Sequence, residues 1–288
     1  MGGTGAQVHA ASSVKLCAVK TPFLMMASRS VGWLADRKLP RFIRPWTYRT
    51  YARFTGANLD EVRAPLESFP SLGQFFVRHL RADARPIEAD AALLPSPADA
   101  MLQDLSRIAG DSILQAKGID YSVRELLAGV GEDLDLEGGH AWTLYLSPRD
   151  YHRVHAPEAC TLTEVRWVAG RFLSVRPKIL ARKPGVFAKN ERAVLRLETE
   201  HGPLLLVMVG ALNVARIRVI GVPAGEDLKE GARRFERGEE LARFEMGSTV
   251  ILVAPGPGGA AQLRPDPELE QGQSIRLGRA IGRWEAPA

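Results

Sequence analysis

After residue 86 the sequence consists of short apolar runs separated by glycine, proline, aspartate and asparagine. Runs of this length, bounded by turn-forming residues, are typical of strands in an antiparallel sheet. One helix is expected to interrupt them at 122–128, with Ser122 as its cap and Gly129 as its stop. The sequence therefore predicts a β-rich antiparallel body over residues 86–288. The expected strands are 142–146, 162–168, 193–197, 204–209, 214–219 and 249–253.

The part of the chain before this body has a helical pattern. Residues 22–58 are predicted to be helical, with interruptions at Pro40 and Pro45, and a second helix is expected over 72–80 after a serine cap. Residues 1–20 are expected to be a disordered extension. We therefore predict an α+β protein in three parts: an extension over 1–20, an N-terminal amphipathic helical arm over 21–85, and the β-rich domain over 86–288.

The helical arm is rich in positive charge and in aromatic residues, in a chain whose net charge is +5. Between residues 29 and 53 there are seven arginines and lysines, opposed only by Asp36, with two tryptophans and two tyrosines among them. This mixture suits the anionic headgroup region of a lipid bilayer. The alternative is an arm that packs on its own domain with its arginines solvated. No nucleic-acid motif accompanies the basic residues, so we expect no nucleic-acid partner.

No apolar stretch in the sequence approaches the roughly 20 residues that a membrane-spanning helix requires. We therefore expect no transmembrane helix. The two cysteines, Cys17 and Cys160, are far apart, and His152 and His155 have no third ligand at a usual spacing. No metal site is expected from these residues.

Three polar clusters are candidates for chemistry. Gly247 and Ser248 stand at the entrance of the last apolar run, where a serine hydroxyl can approach the carbonyl that precedes it. Asp99 lies on a proline-rich turn, and His152 and His155 follow a predicted strand. In this chain order Asp99 can orient His155, and His155 can take the proton of Ser248.

Each of these clusters also has an ordinary structural interpretation. A serine before a strand is usually a turn residue, an aspartate in such a turn usually binds its own backbone, and two nearby histidines can simply be on the surface. A serine hydrolase would use the same triad, although no Gly-x-Ser-x-Gly sequence surrounds Ser248. Composition and spacing alone lead no further than a candidate triad.

Several longer motifs resemble those of one family, the bacterial-type phosphatidylserine decarboxylases. They are LSPRDYHRVH at 146–155, ILQAKG at 113–118, YSVRELLAG at 121–129, FAKNER at 187–192 and GEELARFEMGSTVI at 238–251. They occur in the family's order, and the resemblance covers roughly residues 30–285. Two positions depart from the pattern: Ala100 stands where glycine is more frequent, and Lys189 where arginine is. Neither position belongs to the candidate triad.

The resemblance implies that the chain is a proenzyme that cuts itself between Gly247 and Ser248. Ser248 would become a covalent pyruvoyl group, with His155 and Asp99 assisting the cleavage. The β chain (1–247) and the α chain (248–288) would stay associated. The pyruvoyl group would form a Schiff base with phosphatidylserine, which loses carbon dioxide to give phosphatidylethanolamine. His152 would hold the substrate carboxylate or transfer a proton.

A lipid substrate implies contact with a membrane surface through residues 22–54, at the cytoplasmic face of the bacterial cell membrane. Whether the enzyme forms a homodimer is left open. Three other readings also remain open: a lipid hydrolase that uses Ser248, His155 and Asp99 without self-cleavage, a non-catalytic lipid-binding module, and a decarboxylase of a related serine-bearing lipid or soluble metabolite.

Overall fold

The computed structural model of the protein describes residues 35–116, 119–211, 216–228, 232–245, 248–256 and 261–286. The helices are α1 (Arg44–Thr55), α2 (Leu72–Phe76), α3 (Val123–Leu127), α4 (Pro177–Leu180) and α5 (Val186–Lys189), with 3-10 turns at Arg41–Ile43 and Leu66–Ser68. The first eight strands are β1 (Leu93–Pro95), β2 (Ala100–Arg107), β3 (Ser112–Ala116), β4 (Ile119–Ser122), β5 (His140–Leu146), β6 (Arg153–His155), β7 (Cys160–Val168) and β8 (Arg192–Thr199). The others are β9 (Gly202–Gly210), β10 (Ile217–Val219), β11 (Arg233–Phe235), β12 (Glu240–Phe244), β13 (Ser248–Ala254), β14 (Gln262–Pro265), β15 (Ser274–Ile275) and β16 (Ala280–Glu285).

An antiparallel sheet of eight strands forms the centre of the fold, in the order β11-β7-β8-β9-β13-β5-β2-β15. Two three-stranded sheets, β1-β16-β14 and β10-β12-β6, and the pair β3-β4 accompany it. Strands dominate the described residues and the helices are short, which confirms the predicted α+β class with its β-rich antiparallel body. The predicted boundary between arm and body at residues 85 and 86 stays a prediction.

Both faces of the large sheet are buried, which explains why its strands are apolar at consecutive positions. Along β9, Leu204 and Leu206 belong to one core while Leu205 and Val207 belong to another, because successive side chains point to opposite faces. The first core includes residues of the small sheets, such as Phe244 of β12. The second includes residues of the short helices α3 and α5. The central sheet is thus covered by strands on one side, and by the short helices together with the β3-β4 pair on the other.

The predicted strands are confirmed wherever the apolar run was continuous. The runs 142–146, 162–168, 193–197, 204–209 and 249–253 all lie within β5, β7, β8, β9 and β13. The run 214–219 was predicted too long, because only Ile217–Val219 is a strand among its described residues. Residues 214 and 215 lie outside the described residues.

The predicted helix at 72–80 is wrong in its length, because α2 ends at Phe76. The serine cap is confirmed: the Ser71 hydroxyl accepts from the Gln74 amide. Beyond the helix the Val77 carbonyl accepts two hydrogen bonds from the Arg153 guanidinium, and the Arg81 amide donates to the Glu61 carbonyl instead of continuing the helix. Tertiary hydrogen bonds have therefore replaced the helical ones.

The other helical predictions need smaller corrections. Ser122 caps α3 as predicted, but the left-handed residue that ends the helix is Ala128, one position before Gly129. Within the predicted helical segment 22–58, residues 22–34 lie outside the described residues, as does the predicted extension 1–20. The described part is helical only to Thr55, because Gly56 adopts a left-handed conformation and caps α1.

The arm packs directly on the body. The Tyr48 ring of α1 stacks on the Phe75 ring of α2, with centroids 4.6 Å apart. The Tyr51 hydroxyl donates to the Pro148 carbonyl over 2.6 Å, in the loop between β5 and β6. The arm therefore packs against the loop between β5 and β6, and this contact is separate from any role of its outer surface.

Gly170 is expected to be one of the least replaceable glycines. A Cβ at this position would lie 2.4 Å from the Asn190 carbonyl carbon and 2.5 Å from the Glu191 amide nitrogen, both backbone atoms. Gly170→Ala should therefore force two chain segments apart and lower the free energy of unfolding by about 3 kcal/mol. Urea unfolding measures this loss. Gly110→Ala is the control, since Gly110 has a φ of 53° and open space, so only about 1 kcal/mol of backbone strain is expected. Equal losses in the two variants would contradict the close-approach argument.

Candidate active site

Asp99 and Ser248 lie at the same end of the central sheet. Strand β2 begins directly after Asp99, and β13 begins at Ser248. The strand between them, β5, pairs with both, through Met101 opposite Tyr145 and Ser248 opposite Leu146. Two strand spacings, about 10 Å, therefore separate the backbone around Asp99 from that of Ser248.

Ser248 is described by its backbone alone, and Gly247 lies outside the described residues. The backbone of Ser248 is paired on both sides, with Leu146 of β5 and Gly210 of β9. The carbonyl of Gly210 also accepts a hydrogen bond of 2.8 Å from the side-chain amide of Asn190, which is fully buried. The start of β13 is therefore held by a fixed backbone frame.

His155 is oriented by a backbone carbonyl and a tyrosine. Its Nδ1 lies 2.7 Å from the Gly238 carbonyl oxygen and its Nε2 lies 3.2 Å from the Tyr151 hydroxyl. A carbonyl oxygen only accepts, so Nδ1 carries the proton and Nε2 accepts from Tyr151. Burial lowers the pKa of His155, which favours the neutral ring. His155 thus has the tautomer of a base, with its lone pair at Nε2.

Asp99 is held by an arginine rather than by His155. Its two carboxylate oxygens accept from the Arg85 guanidinium over 2.7 and 2.6 Å, and one of them accepts from the Leu277 amide over 2.8 Å. Arg85 also binds Glu61, over 2.9 Å. Asp99 and His155 are nevertheless neighbours, because the His155 amide donates to the Pro97 carbonyl over 2.8 Å. The direct Asp99–His155 hydrogen bond is absent from the described contacts, and the relay stays a prediction.

His152 is fully buried and neutral. Its ring lies against the Phe76 ring, 4.0 Å between centroids, and its Nδ1 donates to the Asp150 carbonyl over 2.9 Å. Its Nε2 has no hydrogen-bond partner among the described residues. Burial lowers the pKa of His152 to about 3. In this state Nε2 accepts a proton or a hydrogen bond and has no proton to give.

A tight turn brings Tyr151 and His152 to these positions. Both the amide and the hydroxyl of Ser147 donate to one carboxylate oxygen of Asp150, each over 2.7 Å. This is the side-chain-to-backbone bonding that aspartate provides in turns. The turn begins where β5 ends, at Leu146 opposite Ser248, and leads within a few residues into β6, where the His152 carbonyl accepts from the Phe244 amide of β12.

Three residues that contribute to the site were not predicted from the sequence. Tyr151 lies inside the conspicuous histidine motif, where its position between two functional candidates was a usable signal. Arg85 and Gly238 are 14 and 83 residues from their partners in sequence, and they act through a guanidinium and a backbone carbonyl. No local pattern could have identified either.

The described ranges contain neither a metal-binding cluster nor a membrane-spanning helix. No group of three or more His, Cys, Asp or Glu side chains there is arranged to hold a metal ion. Within the same residues no helix has the length and apolar character needed to cross a membrane.

Comparison with known proteins gives consistent matches. Residues 72–283 match the family model of phosphatidylserine decarboxylase. A protein of Saccharophagus degradans named phosphatidylserine decarboxylase proenzyme is 37% identical over 273 residues, which cover 91% of this chain and 94% of that protein. Proteins of the same name from Marinobacter nauticus and Yersinia enterocolitica are 36% and 37% identical, over 91% and 88% of this chain and 94% and 90% of their own lengths.

Burial of neutral His152 predicts that acid destabilises the fold. Unfolded histidine takes up a proton below about pH 6.5, whereas native His152 stays neutral down to about pH 3. Protons therefore favour the unfolded chain, and stability falls as pH falls through this range. Between pH 7 and pH 5 a chain with His152 should lose about 2 kcal/mol more than a His152→Gln variant. Urea unfolding at both pH values, in a Ser248→Ala background that keeps one chain, measures the difference. Equal losses would contradict the buried neutral state.

Proposed function

This chain belongs to the phosphatidylserine decarboxylase family, and from this premise we propose that it converts phosphatidylserine to phosphatidylethanolamine and carbon dioxide after cutting itself between Gly247 and Ser248. The observation that carries the proposal is the sequence identity of 37%, over 91% of this chain, to a protein named phosphatidylserine decarboxylase proenzyme. The position of Ser248 as the first residue of β13 also supports the proposal, because this serine directly follows the Gly247–Ser248 peptide bond.

The self-cleavage needs only groups of the chain and one water molecule. The Ser248 hydroxyl loses its proton and attacks the Gly247 carbonyl, so that the peptide bond becomes an ester. Elimination then breaks the bond between the ester oxygen and Cβ of residue 248, and Gly247 leaves as a carboxylate. The dehydroalanine at residue 248 takes up water and releases ammonia, which leaves a pyruvoyl group.

We assign the base to His155 Nε2. The Gly238 carbonyl keeps the proton on Nδ1, so the lone pair is at Nε2, and the Tyr151 hydroxyl must give up its hydrogen bond before Ser248 can use it. Asp99 contributes through its charge, which raises the pKa of His155 and partly offsets the larger effect of burial. Asp99 is in turn fixed by Arg85. This role for Asp99 does not need a direct hydrogen bond.

The residues around the start of β13 fit a covalent pyruvoyl group at position 248. His152 Nε2 is a buried polar atom without a partner among the described residues, and the His152 carbonyl binds the Phe244 amide, four residues before position 248. The group supplies a carbonyl that takes up the substrate amine and accepts electrons as carbon dioxide leaves. A substrate carboxylate near His152 would raise the pKa of that histidine. His152 could then gain a proton at Nε2, hold the carboxylate, and return the proton to the substrate.

Intact-mass measurement of the purified protein under denaturing conditions tests the cleavage. We expect two chains, 1–247 and 248–288, with the smaller one lighter by one ammonia than a peptide that begins with serine. Ser248→Ala should give one chain of 31.5 kDa. His155→Gln should cleave at least about a hundredfold more slowly, because a general base contributes roughly that much or more.

The same preparation separates the alternative readings. A lipid hydrolase with intact Ser248 would give one uncut chain that serine-directed phosphonates label. A lipid-binding module would bind vesicles and release no ethanolamine lipid. Either result would contradict the proposed function, as would cleavage that persists in Ser248→Ala. Turnover of a soluble serine-bearing substrate in preference to phosphatidylserine would point to the related decarboxylase.

We further propose that the enzyme is a peripheral protein of the cytoplasmic face of the bacterial membrane and binds the membrane through the arm. The outer side of α1 and of the turn before it carries three aromatic side chains that are 84%, 71% and 85% exposed: Phe42, Trp46 and Phe54. Arg49 and Arg53 are exposed on the same helix. Aromatic rings with arginines around them suit the interface of an anionic bilayer.

Replacing the three aromatic residues tests this surface without disturbing the packed side of α1. The triple variant Phe42→Ser, Trp46→Ser and Phe54→Ser should bind phosphatidylglycerol-containing vesicles about tenfold or more weakly, because each ring loses apolar burial. Vesicle sedimentation measures the binding, and intact mass should show normal self-cleavage.

The control for this experiment is the double variant Arg264→Ser and Arg283→Ser, which removes two exposed positive charges from strands β14 and β16, away from α1. If net positive charge alone drove binding, the control would weaken it more than the aromatic variant, which removes no charge. That result, or unchanged binding of the aromatic variant, would contradict the assignment of the surface.

A further inference from the structure

A cavity of about 350 Å³ lies beside Asp99, at the end of the central sheet that also holds Ser248. Arg78, Arg85, Arg149, Arg276, Asp99 and Tyr151 are among the residues that line it. It therefore adjoins the site already described through Asp99 and through Tyr151, the hydrogen-bond partner of His155. Its wall also includes Gly56 and Asn58, which directly follow α1. The cavity thus lies between the candidate active site and the end of the helix that carries the exposed aromatic side chains.

Three of the four arginines in this cavity have a carboxylate partner. Arg85 binds both Asp99 and Glu61, Arg149 lies 3.5 Å from Asp150, and Arg276 lies 3.7 Å from Glu61. Arg149 and Arg276 are also more than half exposed, so water solvates them. These three guanidinium groups need no further counter-ion.

Arg78 differs from the other three. It is only 3% exposed, and no carboxylate of the described residues lies within ion-pair distance of it. Its Nη2 donates to the Arg149 carbonyl over 3.1 Å, while its Nε and Nη1 have no acceptor among the described residues. The Phe75 ring lies 5.1 Å from the guanidinium carbon and gives it partial compensation.

A buried guanidinium without a counter-ion lowers the stability of the fold, unless an anionic ligand pairs with it. Burial lowers the pKa of Arg78, yet arginine keeps its proton at neutral pH, so the charge cannot be removed by deprotonation. The free Nε–H and Nη1–H groups lie on different edges of the guanidinium plane, and each can donate a charge-assisted hydrogen bond to a phosphate or carboxylate oxygen. The cavity is therefore suited to an anion.

The distance from Ser248 favours a phosphate over the substrate carboxylate. The amine of phosphatidylserine is four bonds from phosphorus, about 5 Å when extended, and a phosphate oxygen with its hydrogen bond adds about 4 Å. The sum is close to the two strand spacings, about 10 Å, between the backbone of Ser248 and the backbone around Asp99, whose side chain lines the cavity. The carboxylate is only two bonds from the amine, so it would remain close to residue 248.

We propose that Arg78 binds the headgroup phosphate of the lipid substrate in this cavity and so positions the serine amine at residue 248. The proposal rests on the proposed function and adds a specificity-determining residue to it: the substrate must carry a phosphodiester next to its amino acid. Arg78 then distinguishes a serine phospholipid from free serine.

The first experiment measures binding without catalysis. Isothermal calorimetry with the uncut Ser248→Ala protein compares glycerophosphoethanolamine, inorganic phosphate and ethanolamine. We expect glycerophosphoethanolamine to bind and ethanolamine not to bind, and we expect Ser248→Ala/Arg78→Gln to bind the former at least about tenfold more weakly. Unchanged binding in the double variant would overturn the proposal. Binding of inorganic phosphate alone, with none of glycerophosphoethanolamine, would overturn it too, because the cavity would then be a free-phosphate site.

The second experiment uses the processed enzyme. Arg78→Gln should cleave itself fully, raise KM for phosphatidylserine in mixed micelles at least about tenfold, and keep kcat within about threefold. Arg81→Gln is the control, since Arg81 is exposed and pairs with Asp83 outside the cavity. A normal KM in cleaved Arg78→Gln would overturn the proposal.

A third variant keeps the test decisive if Arg78→Gln fails to fold. Arg78→Lys retains the charge, so it should fold and bind glycerophosphoethanolamine with intermediate affinity; loss of affinity no greater than in Arg81→Gln would again overturn the proposal. If the wild-type protein neither cleaves nor turns over lipid, the proposed function fails, while the calorimetry on Ser248→Ala still decides whether Arg78 binds phosphate.

Discussion

Strand β13 is hydrogen-bonded on both sides, to β5 and to β9, from Ser248 to Val253. Its side chains from Thr249 to Ala254 are buried, and they contribute to the cores on both faces of the sheet. Removing this strand would divide the eight-stranded sheet into β11-β7-β8-β9 and β5-β2-β15. A break of the chain just before Ser248, with loss of the nitrogen of residue 248, leaves the strand pairing from Thr249 to Val253 in place. The fold is therefore compatible with a cut at the point where the proposed chemistry requires it, and burial of β13 would retain the smaller chain.

The antiparallel order of the sheet also explains why the polar groups meet. Neighbouring strands run in opposite directions, so β2 and β13 start at the end of the sheet where β5 ends. The arm closes this end from outside: the Phe76 ring covers His152, and the Val77 carbonyl binds Arg153 of β6. Deleting the arm would thus expose the candidate site itself, which makes point substitutions on its outer surface the cleaner test of membrane contact.

The sequence predicted the elements whose cause is local. Continuous apolar runs indicated β5, β7, β8, β9 and β13 correctly, because strands buried on both faces must be apolar at successive positions. Ser71 and Ser122 marked helix starts correctly, because capping depends on a side chain and an amide three residues apart. The end of α2 was missed because the bonds that end it come from Arg153, 76 residues away in sequence.

The same distinction applies to the site. Asp99, His155 and Ser248 were predicted as a candidate triad from residue type and chain order, and the resemblance to a family added the role of His152. In the structure the backbones of Asp99 and Ser248 lie at the same end of the sheet, and the His155 amide binds the Pro97 carbonyl. The partners of these residues were not identified. A backbone carbonyl such as that of Gly238 has no residue signature, and the match of Arg85 to Asp99 depends on how the arm folds back. Arg78 is one arginine of many in the sequence. Only the structure shows that it forms no ion pair with a carboxylate of the described residues.

Two buried groups of the site, His152 and Arg78, would each be stabilised by a negatively charged ligand. His152 is neutral, and its Nε2 has no hydrogen-bond partner among the described residues; Arg78 is a buried cation that forms no ion pair with any of the described carboxylates. Both groups are completed by negative charge: a carboxylate would favour protonation of His152, and a phosphate would fill the free donors of Arg78. The proposed substrate carries these two anions on either side of one amine. A ligand with only one of them would leave the other group as it is now, so the charges of the site discriminate between substrates before any bond is broken.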